Sequence, residues 1–189
     1  MSLLTTASQT LGPFGAIIFD PTEVRDIAPA GVAGERITVR GRIVDGDGLP
    51  VRDATIEIWQ ANSHGKYAHP EDMQEKPLDD NFKGFGRVST NKDGGFQFTT
   101  IKPGCVPGLS GTTQAPHLTL VIFMRGLLKH LVTRIYFEGE VANADDPVLK
   151  LVPAERRATL VAAKHTNAQG VYDRAVHLQG PHETVFFDW

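Results

Sequence analysis

The side chains best suited to chemistry in this sequence are its histidines, its tyrosines and its one cysteine. Seven histidines could supply metal ligands, but none forms a His-x-His or His-x-x-x-His pair. His64 and His69 flank Tyr67 in a polar stretch, where a solvated loop histidine is the alternative to a ligand. His117 begins an apolar run and could be a ligand or a packed histidine at the end of a strand. Cys105 lies in a stretch without a marked cluster of basic residues, so we expect an unreactive thiol.

Three familiar catalytic patterns are missing from the sequence. It contains no Gly-x-Ser-x-Gly, no Gly-x-x-x-x-Gly-Lys-Ser/Thr and no Cys-x-x-Cys. The first exposes the nucleophile of a serine hydrolase, the second wraps phosphates in backbone amides, and the third is common in zinc and redox sites. The residues alone therefore give no support to these three functions.

The composition argues against two kinds of partner. Lys and Arg number 19 against 22 for Asp and Glu, a net charge of −3, whereas a nucleic-acid backbone requires a basic surplus. The longest apolar runs, such as residues 118–124, are far shorter than the ~20 residues that span a bilayer. We therefore expect neither nucleic acid nor a membrane as partner.

Two further features indicate the compartment. No Lys or Arg precedes an apolar stretch at the N-terminus, so we expect no signal peptide. The single cysteine cannot form an internal disulfide, which suits a reducing environment. The sequence thus predicts a cytoplasmic protein.

The elements that must position the candidate residues are mainly strands. Apolar and polar residues alternate with a period of two in several short runs, and 19 glycines and 12 prolines supply turns between them. This pattern predicts an all-β fold, a two-sheet β-sandwich with long loops and little helix. The predicted strands are residues 37–43, 55–59, 86–90, 96–100, 118–123, 131–137, 172–178 and 184–187.

The segments between and before these strands carry separate predictions. Residues 153–164 are the best candidate for a helix, with a proline in the first turn. Residues 61–85 and 102–116 are long, polar and rich in Gly and Pro, and loops of this length usually carry function or an interface. Residues 1–35 lack a clear period. We expect them to form an N-terminal arm over this domain or another chain, with a single domain in residues 36–189.

Six segments together point to a known family. The Trp-Gln-Ala and Ile-Lys-Pro-Gly stretches within them are specific in combination, and the similarity covers roughly residues 8–189. The segments are 41–51 (GRIVDGDGLPV), 56–62 (IEIWQAN), 65–67 (GKY), 93–104 (DGGFQFTTIKPG), 115–117 (APH) and 134–140 (RIYFEGE). On these motifs the chain resembles the intradiol ring-cleavage dioxygenases. The resemblance implies a β-sandwich of that family's type, which cleaves a catechol ring between its two hydroxyls with non-haem Fe(III) and O₂.

Two of the family's four iron-ligand positions hold other residues here. By the resemblance, two tyrosinates and two histidines bind the iron, because hard phenolates stabilise the ferric state. Tyr67 and His117 match one ligand of each kind, whereas Val106 and Thr119 stand where the second tyrosine and the second histidine belong. Valine has no donor atom and a threonine hydroxyl is a poor ferric ligand. We therefore expect no metal site in this chain.

This loss of two ligands resembles the pattern of one subunit in a two-subunit enzyme of the family. By that resemblance a homologous β subunit binds the iron, and an iron-free α subunit lines the pocket for protocatechuate with its N-terminal segment and one arginine. The matching substrate-pocket positions are Thr10, Gly12, Pro13, Phe14 and Arg125. The resemblance implies an αβ oligomer that uses protocatechuate and O₂, in which this chain has no catalytic residue of its own.

The chemistry of Arg125 suits such a role. Its guanidinium is a permanent cation with a forked set of donors, and protocatechuate has a carboxylate opposite the ring-cleavage site. The alternative is a solvated arginine in a turn. Two other functions stay open: a homomeric intradiol enzyme, against which Val106 and Thr119 argue, and a binding or scaffold sandwich, against which the presence of the pocket-lining residues argues.

Overall fold

A computed structural model describes residues 7–12 and 14–188 of the chain. Within them the chain is mostly strand with little helix, so the all-β prediction is confirmed. No helix in these ranges is long and apolar enough to cross a membrane. The elements are α1 (Phe14–Phe19), β1 (Arg36–Val44), β2 (Thr55–Trp59), β3 (Phe85–Ser89), β4 (Gly95–Ile101), β5 (Val106–Pro107), β6 (Thr113–Gln114), β7 (His117–Phe123), β8 (Leu131–Phe137), α2 (Pro147–Leu151), β9 (Val161–Lys164) and β10 (Val171–His177), with 3₁₀ turns at Asp20–Thr22, Leu109–Gly111, Val141–Ala144 and Ala154–Leu160.

The strands form where the sequence alternates with a period of two. In β1, Ile37, Val39 and Ile43 are fully buried, and the residues between them are more exposed. This pattern places one face of the strand on the apolar core, because successive side chains of a strand point to opposite faces. Seven of the predicted strands are present, with ends that differ by at most one residue.

The eight longer strands form one continuous sheet in the order β3-β2-β7-β8-β9-β10-β1-β4. The short strand β9 connects its two halves. Val161 and Ala162 pair in parallel with β8, and Ala163 and Lys164 pair antiparallel with β10. The predicted division into two separate sheets is therefore not confirmed; the sheet curves around its buried face and nearly closes.

Part of the N-terminal region lies between the two edge strands of this sheet. The Val24 amide donates to the Arg87 carbonyl of β3 at 2.8 Å, and the Ile27 amide donates to the Thr99 carbonyl of β4 at 2.9 Å. Thr99 in turn donates to the Arg25 carbonyl at 2.8 Å. Residues 24–27 thus satisfy backbone groups on both edges, which would otherwise remain open to pairing.

Two predicted elements differ from the structure. Residues 153–164 do not form one continuous helix: Ala154–Leu160 is a 3₁₀ helix, whereas Val161–Lys164 is strand β9. Pairing with two neighbouring strands there overrides the local helix preference, as tertiary context often does. Residues 184–187 are not a strand. Within them Phe187 makes an isolated bridge to Val132.

Gly41 in β1 provides a test of how tightly the sheet is packed. A Cβ atom at this position would lie 2.0 Å from the carbonyl oxygen of Arg174 and 2.5 Å from a ring carbon of Phe96. We expect Gly41→Ala to reduce the free energy of unfolding by about 1–3 kcal/mol or more. At about 2–4 °C per kcal/mol, the midpoint of thermal unfolding should fall measurably.

Gly46→Ala is the matched control for this substitution. Its added methyl would meet the flexible, exposed side chain of Gln179, which can move aside. An unfolding midpoint for Gly41→Ala equal to that of Gly46→Ala would contradict the packing described here.

Candidate functional site

A cavity with a volume of about 860 Å³ lies at one end of strands β2, β7 and β8. One wall is a row of side chains on three adjacent strands: Trp59 of β2 pairs with Thr119 of β7, which pairs with Arg134 of β8. The other walls come from the two long loops, residues 61–85 and 102–116. The expectation that these loops carry function therefore has a physical basis, because they enclose this cavity.

The four predicted ligand positions come together in the cavity. Tyr67, Val106, His117 and Thr119 all line it, although they lie on two loops and one strand of the sequence. The resemblance thus picked out four positions that the fold brings together. The protonation state and the hydrogen-bond partners of each side chain decide what this cavity can bind.

His117 is held as a neutral imidazole. It is 4% exposed, and its Nδ1 donates to the Ala115 carbonyl at 2.7 Å. Burial, together with the nearby charge of Arg134, lowers the pKa of His117 to about 4. Both causes disfavour the imidazolium, so the ring is uncharged near neutral pH.

Tyr67 is held as a neutral phenol. Its ring stacks on Trp59 with centroids 5.9 Å apart and planes 10° apart. The Tyr67 amide donates to the Asp72 carboxylate at 2.7 Å, which fixes the backbone. Burial raises the pKa of the Tyr67 hydroxyl, against a smaller opposing effect of Arg134. Burial therefore keeps the hydroxyl protonated in the metal-free chain.

Arg134 places a permanent cation in the same cavity. The residue is 7% exposed, and its Nη1 donates to Gln114 Oε1 at 2.7 Å and to the Tyr136 hydroxyl at 3.1 Å. A fixed guanidinium repels any further cation, and strongly so where solvent is partly excluded. Sequence reasoning did not single out Arg134. The available signal was a charge within the otherwise apolar run of β8, where it must find partners.

Asp146 holds this group of polar residues together through hydrogen bonds. Sequence reasoning did not single it out either. It is fully buried and accepts from the Ala115 amide at 2.7 Å and from the Tyr136 hydroxyl at 3.1 Å. It also caps α2 by accepting from the amides of Val148 and Leu149. The signal in the sequence was the Asp-Pro pair, which is typical of a helix N-terminus.

The donor set does not fit Fe(III). Of the four positions, Tyr67 and His117 carry suitable donors, whereas Val106 and Thr119 do not. Within residues 7–12 and 14–188, no group of three or more His, Cys, Asp or Glu could hold a metal ion. What the cavity offers instead is the Arg134 guanidinium, the carboxylates of Glu71 and Asp72, neutral polar groups and a stacked aromatic wall.

Thr10 and Arg125, two of the predicted substrate-pocket residues, lie elsewhere, at the turn between β7 and β8. Thr10 Oγ1 accepts from the Gly126 amide at 2.7 Å, so the N-terminal segment contacts the turn that contains Arg125. Gly12, two residues after Thr10, is exposed. Pro13 lies outside the described residues, and of Phe14 the structure describes only its place at the start of α1.

The turn and the cavity are at opposite ends of β7. Thr119 faces the cavity near the start of the strand, and Arg125 follows its end. Six residues at ~3.3 Å each separate them by roughly 20 Å. Arg125 therefore cannot act on a ligand in this chain's own cavity.

Comparisons with known proteins agree with this geometry. The family profile described as Dioxygenase matches residues 19–180. The protocatechuate 3,4-dioxygenase alpha chain of Burkholderia cepacia is 41% identical over 205 aligned positions, covering 99% of this chain and 98% of that protein. The beta chain from the same organism is 41% identical over 131 positions, covering 68% and 56%. An intradiol ring-cleavage dioxygenase structure from Tetranychus urticae has a TM-score of 0.66 at 20% identity, covering 86% and 89%.

The chain belongs to the intradiol dioxygenase family, whose members are ring-cleaving oxidoreductases. The resemblance drawn from the sequence motifs is thus confirmed. The match to an alpha chain extends over nearly the full length of both proteins, whereas the match to the beta chain is partial.

The state of His117 predicts a specific dependence of stability on pH. The pKa is about 4 in the folded chain against 6.5 for an ordinary histidine, so below pH 6.5 protons bind the unfolded chain first. Stability from His117 is complete above pH 6.5 and is lost as the pH falls towards 4, by up to about 3 kcal/mol. The neutral variant His117→Gln lacks this loss. Its stability relative to the unaltered protein should therefore improve on acidification, as measured by urea unfolding at several pH values; parallel curves would contradict the assignment.

The donor set predicts the metal content of the chain alone. Purified without a partner, it should bind no stoichiometric Fe(III) and show no visible tyrosinate-to-iron absorption band. Val106→Tyr combined with Thr119→His should gain weak binding with colour, limited by the charge of Arg134 and the unchanged surroundings. Metal analysis that returns about one iron per unaltered chain, with colour, would refute this assignment.

Proposed function

We propose that this chain is the iron-free α subunit of protocatechuate 3,4-dioxygenase. In the complex a homologous β subunit carries Fe(III), and the two chains together cleave protocatechuate with O₂ to 3-carboxy-cis,cis-muconate. The observation that carries the proposal is the combination of a full-length match to an alpha chain with a donor set that does not fit iron. The match to a beta chain supports a homologous partner.

The contribution of this chain is to bind and orient the substrate. The partner's ferric centre supplies the activation of the catechol for reaction with O₂. The Arg125 guanidinium offers charge-assisted hydrogen bonds to the substrate carboxylate, remote from the bonds that break. Thr10 holds the N-terminal segment against the Gly126 amide, so that arm and turn form one wall of the shared pocket, to which the family resemblance adds Gly12, Pro13 and Phe14.

The separation of the two regions supports a shared pocket over a homomeric enzyme. Arg125 lies roughly 20 Å along β7 from this chain's cavity, so its substrate must lie against another chain. A scaffold without a catalytic part would not need an arginine 64% exposed beside a turn tied to an N-terminal arm. The proposal includes assembly of αβ units into a larger oligomer in the cytoplasm.

Arg125 provides the direct test of this function. A partly desolvated, charged hydrogen bond to the carboxylate contributes about 1.5–3 kcal/mol. Arg125→Ala in the αβ complex should therefore lower kcat/KM for protocatechuate by roughly 10- to 150-fold. Arg125→Lys should recover only part of the loss, since a point charge lacks the planar fork.

Two controls separate charge recognition from damage to the fold. Iron content and colour of the Arg125→Ala complex should remain unchanged, because the metal is on the partner chain. The loss should shrink for catechol, which has no carboxylate. Equal losses on both substrates, or bleached iron, would assign Arg125 a structural role only.

A further inference from the structure

The register between β2 and β7 brings a second charged residue to the turn. Thr55 of β2 lies opposite Phe123 of β7 in the antiparallel ladder. Continuing the same register beyond the strand ends places residue 53 opposite residue 125. The structure has this arrangement: Asp53 Oδ2 lies 2.7 Å from Arg125 Nε, and the Asp53 side chain is 22% exposed.

The backbone around Asp53 is fixed by hydrogen bonds to the core strands. The Val51 amide donates to the Ile43 carbonyl at 3.0 Å, and the Thr90 amide donates to the Ala54 carbonyl at 2.9 Å. The Ala54 amide also donates to Thr90 Oγ1 at 3.0 Å. Because residues on both sides of it are held in this way, Asp53 is a rigid anchor.

The turn itself is held from two other sides. Met124 packs against the main apolar core, and the Gly126 amide is bound by Thr10. The Arg125 side chain between them is 64% exposed. An arginine at this exposure samples many rotamers unless a partner restrains it.

The atom of Arg125 that contacts Asp53 determines which N–H donors of the guanidinium remain available. Asp53 contacts Nε, which is on the inner side of the guanidinium. The two terminal amino groups carry four of its five N–H donors, and they form the end of the fork that can bind a carboxylate in a bidentate manner. The Asp53 contact therefore restrains the arginine without occupying its outer end.

We propose that Asp53 is a positioning residue that fixes Arg125 for recognition of the substrate carboxylate. This inference rests on the proposed function, since it requires Arg125 to face the substrate. Two effects of Asp53 oppose each other: its negative charge repels an anionic substrate, and its contact orders the arginine. The ordering effect dominates, because the Asp53 charge is already neutralised by its contact with Arg125, whereas Arg125 has a long side chain to immobilise.

The test uses steady-state kinetics of the αβ holoenzyme with Asp53→Asn. Ordering one flexible side chain corresponds to roughly a 3- to 10-fold effect on binding. We expect KM for protocatechuate to rise by about this factor with kcat nearly unchanged, and both constants for catechol to stay the same. Asp53→Glu should recover part of the loss, and Asp53→Ser should reproduce it if the amide variant assembles poorly.

The matched control is Asp145→Asn, which removes the same charge from a pair with Lys150 on a different part of the surface. It should leave the kinetics on both substrates unchanged. Asp53→Asn should have little further effect in an Arg125→Ala background, because the residue it positions is gone.

The outcomes distinguish this inference from the function it rests on. A carboxylate-specific loss in Arg125→Ala but not in Asp53→Asn overturns the positioning role alone. Equal losses on both substrates in Asp53→Asn, or losses that add to those of Arg125→Ala, also overturn it. If Arg125→Ala itself shows no loss specific to protocatechuate, the proposed role of Arg125 fails, and the positioning role fails with it.

Discussion

The antiparallel register between β2 and β7 is the constraint on which the rest of the structure depends. At one end it places Trp59 beside Thr119, which builds the wall of the large cavity. At the other end it places Asp53 beside Arg125 in the turn that follows β7. Because a strand is rigid and its side chains alternate, the two regions are held about 20 Å apart. One register thus sets both the cavity at one end of β7 and the turn with Arg125 at the other end.

The chemistry at the two ends differs because the surroundings of the charges differ. In the cavity, burial keeps His117 and Tyr67 neutral while Arg134 supplies a fixed positive charge. Two of its four ligand positions, Val106 and Thr119, also lack a suitable donor, so the cavity does not fit Fe(III). At the turn, Arg125 is exposed and needs an external anion to make use of its donors. This contrast supports the proposal that the substrate binds at the turn while a partner chain holds the iron.

Much of this arrangement could be predicted from the sequence, and the remainder depends on contacts that are distant along the chain. Alternation predicted the main strands, and the family resemblance linked Tyr67 with His117, which the fold brings to one cavity. The helix over 153–164 failed because β9 gains pairing on both sides, which no local pattern reveals. Asp146 and Arg134 depend on a buried network between separate elements. The Asp53 pair with Arg125 required the register of β2 and β7, which only the folded chain supplies.

Anomalous diffraction at the iron absorption edge, from crystals of the αβ complex with protocatechuate bound, tests the central claim most directly. The account predicts one iron peak per αβ unit, located on the partner chain, with the Arg125 guanidinium within hydrogen-bond distance of the substrate carboxylate. It also predicts no iron peak in the cavity that contains Tyr67 and His117. A peak in that cavity, or an Arg125 side chain that faces solvent while the substrate is bound, would contradict it.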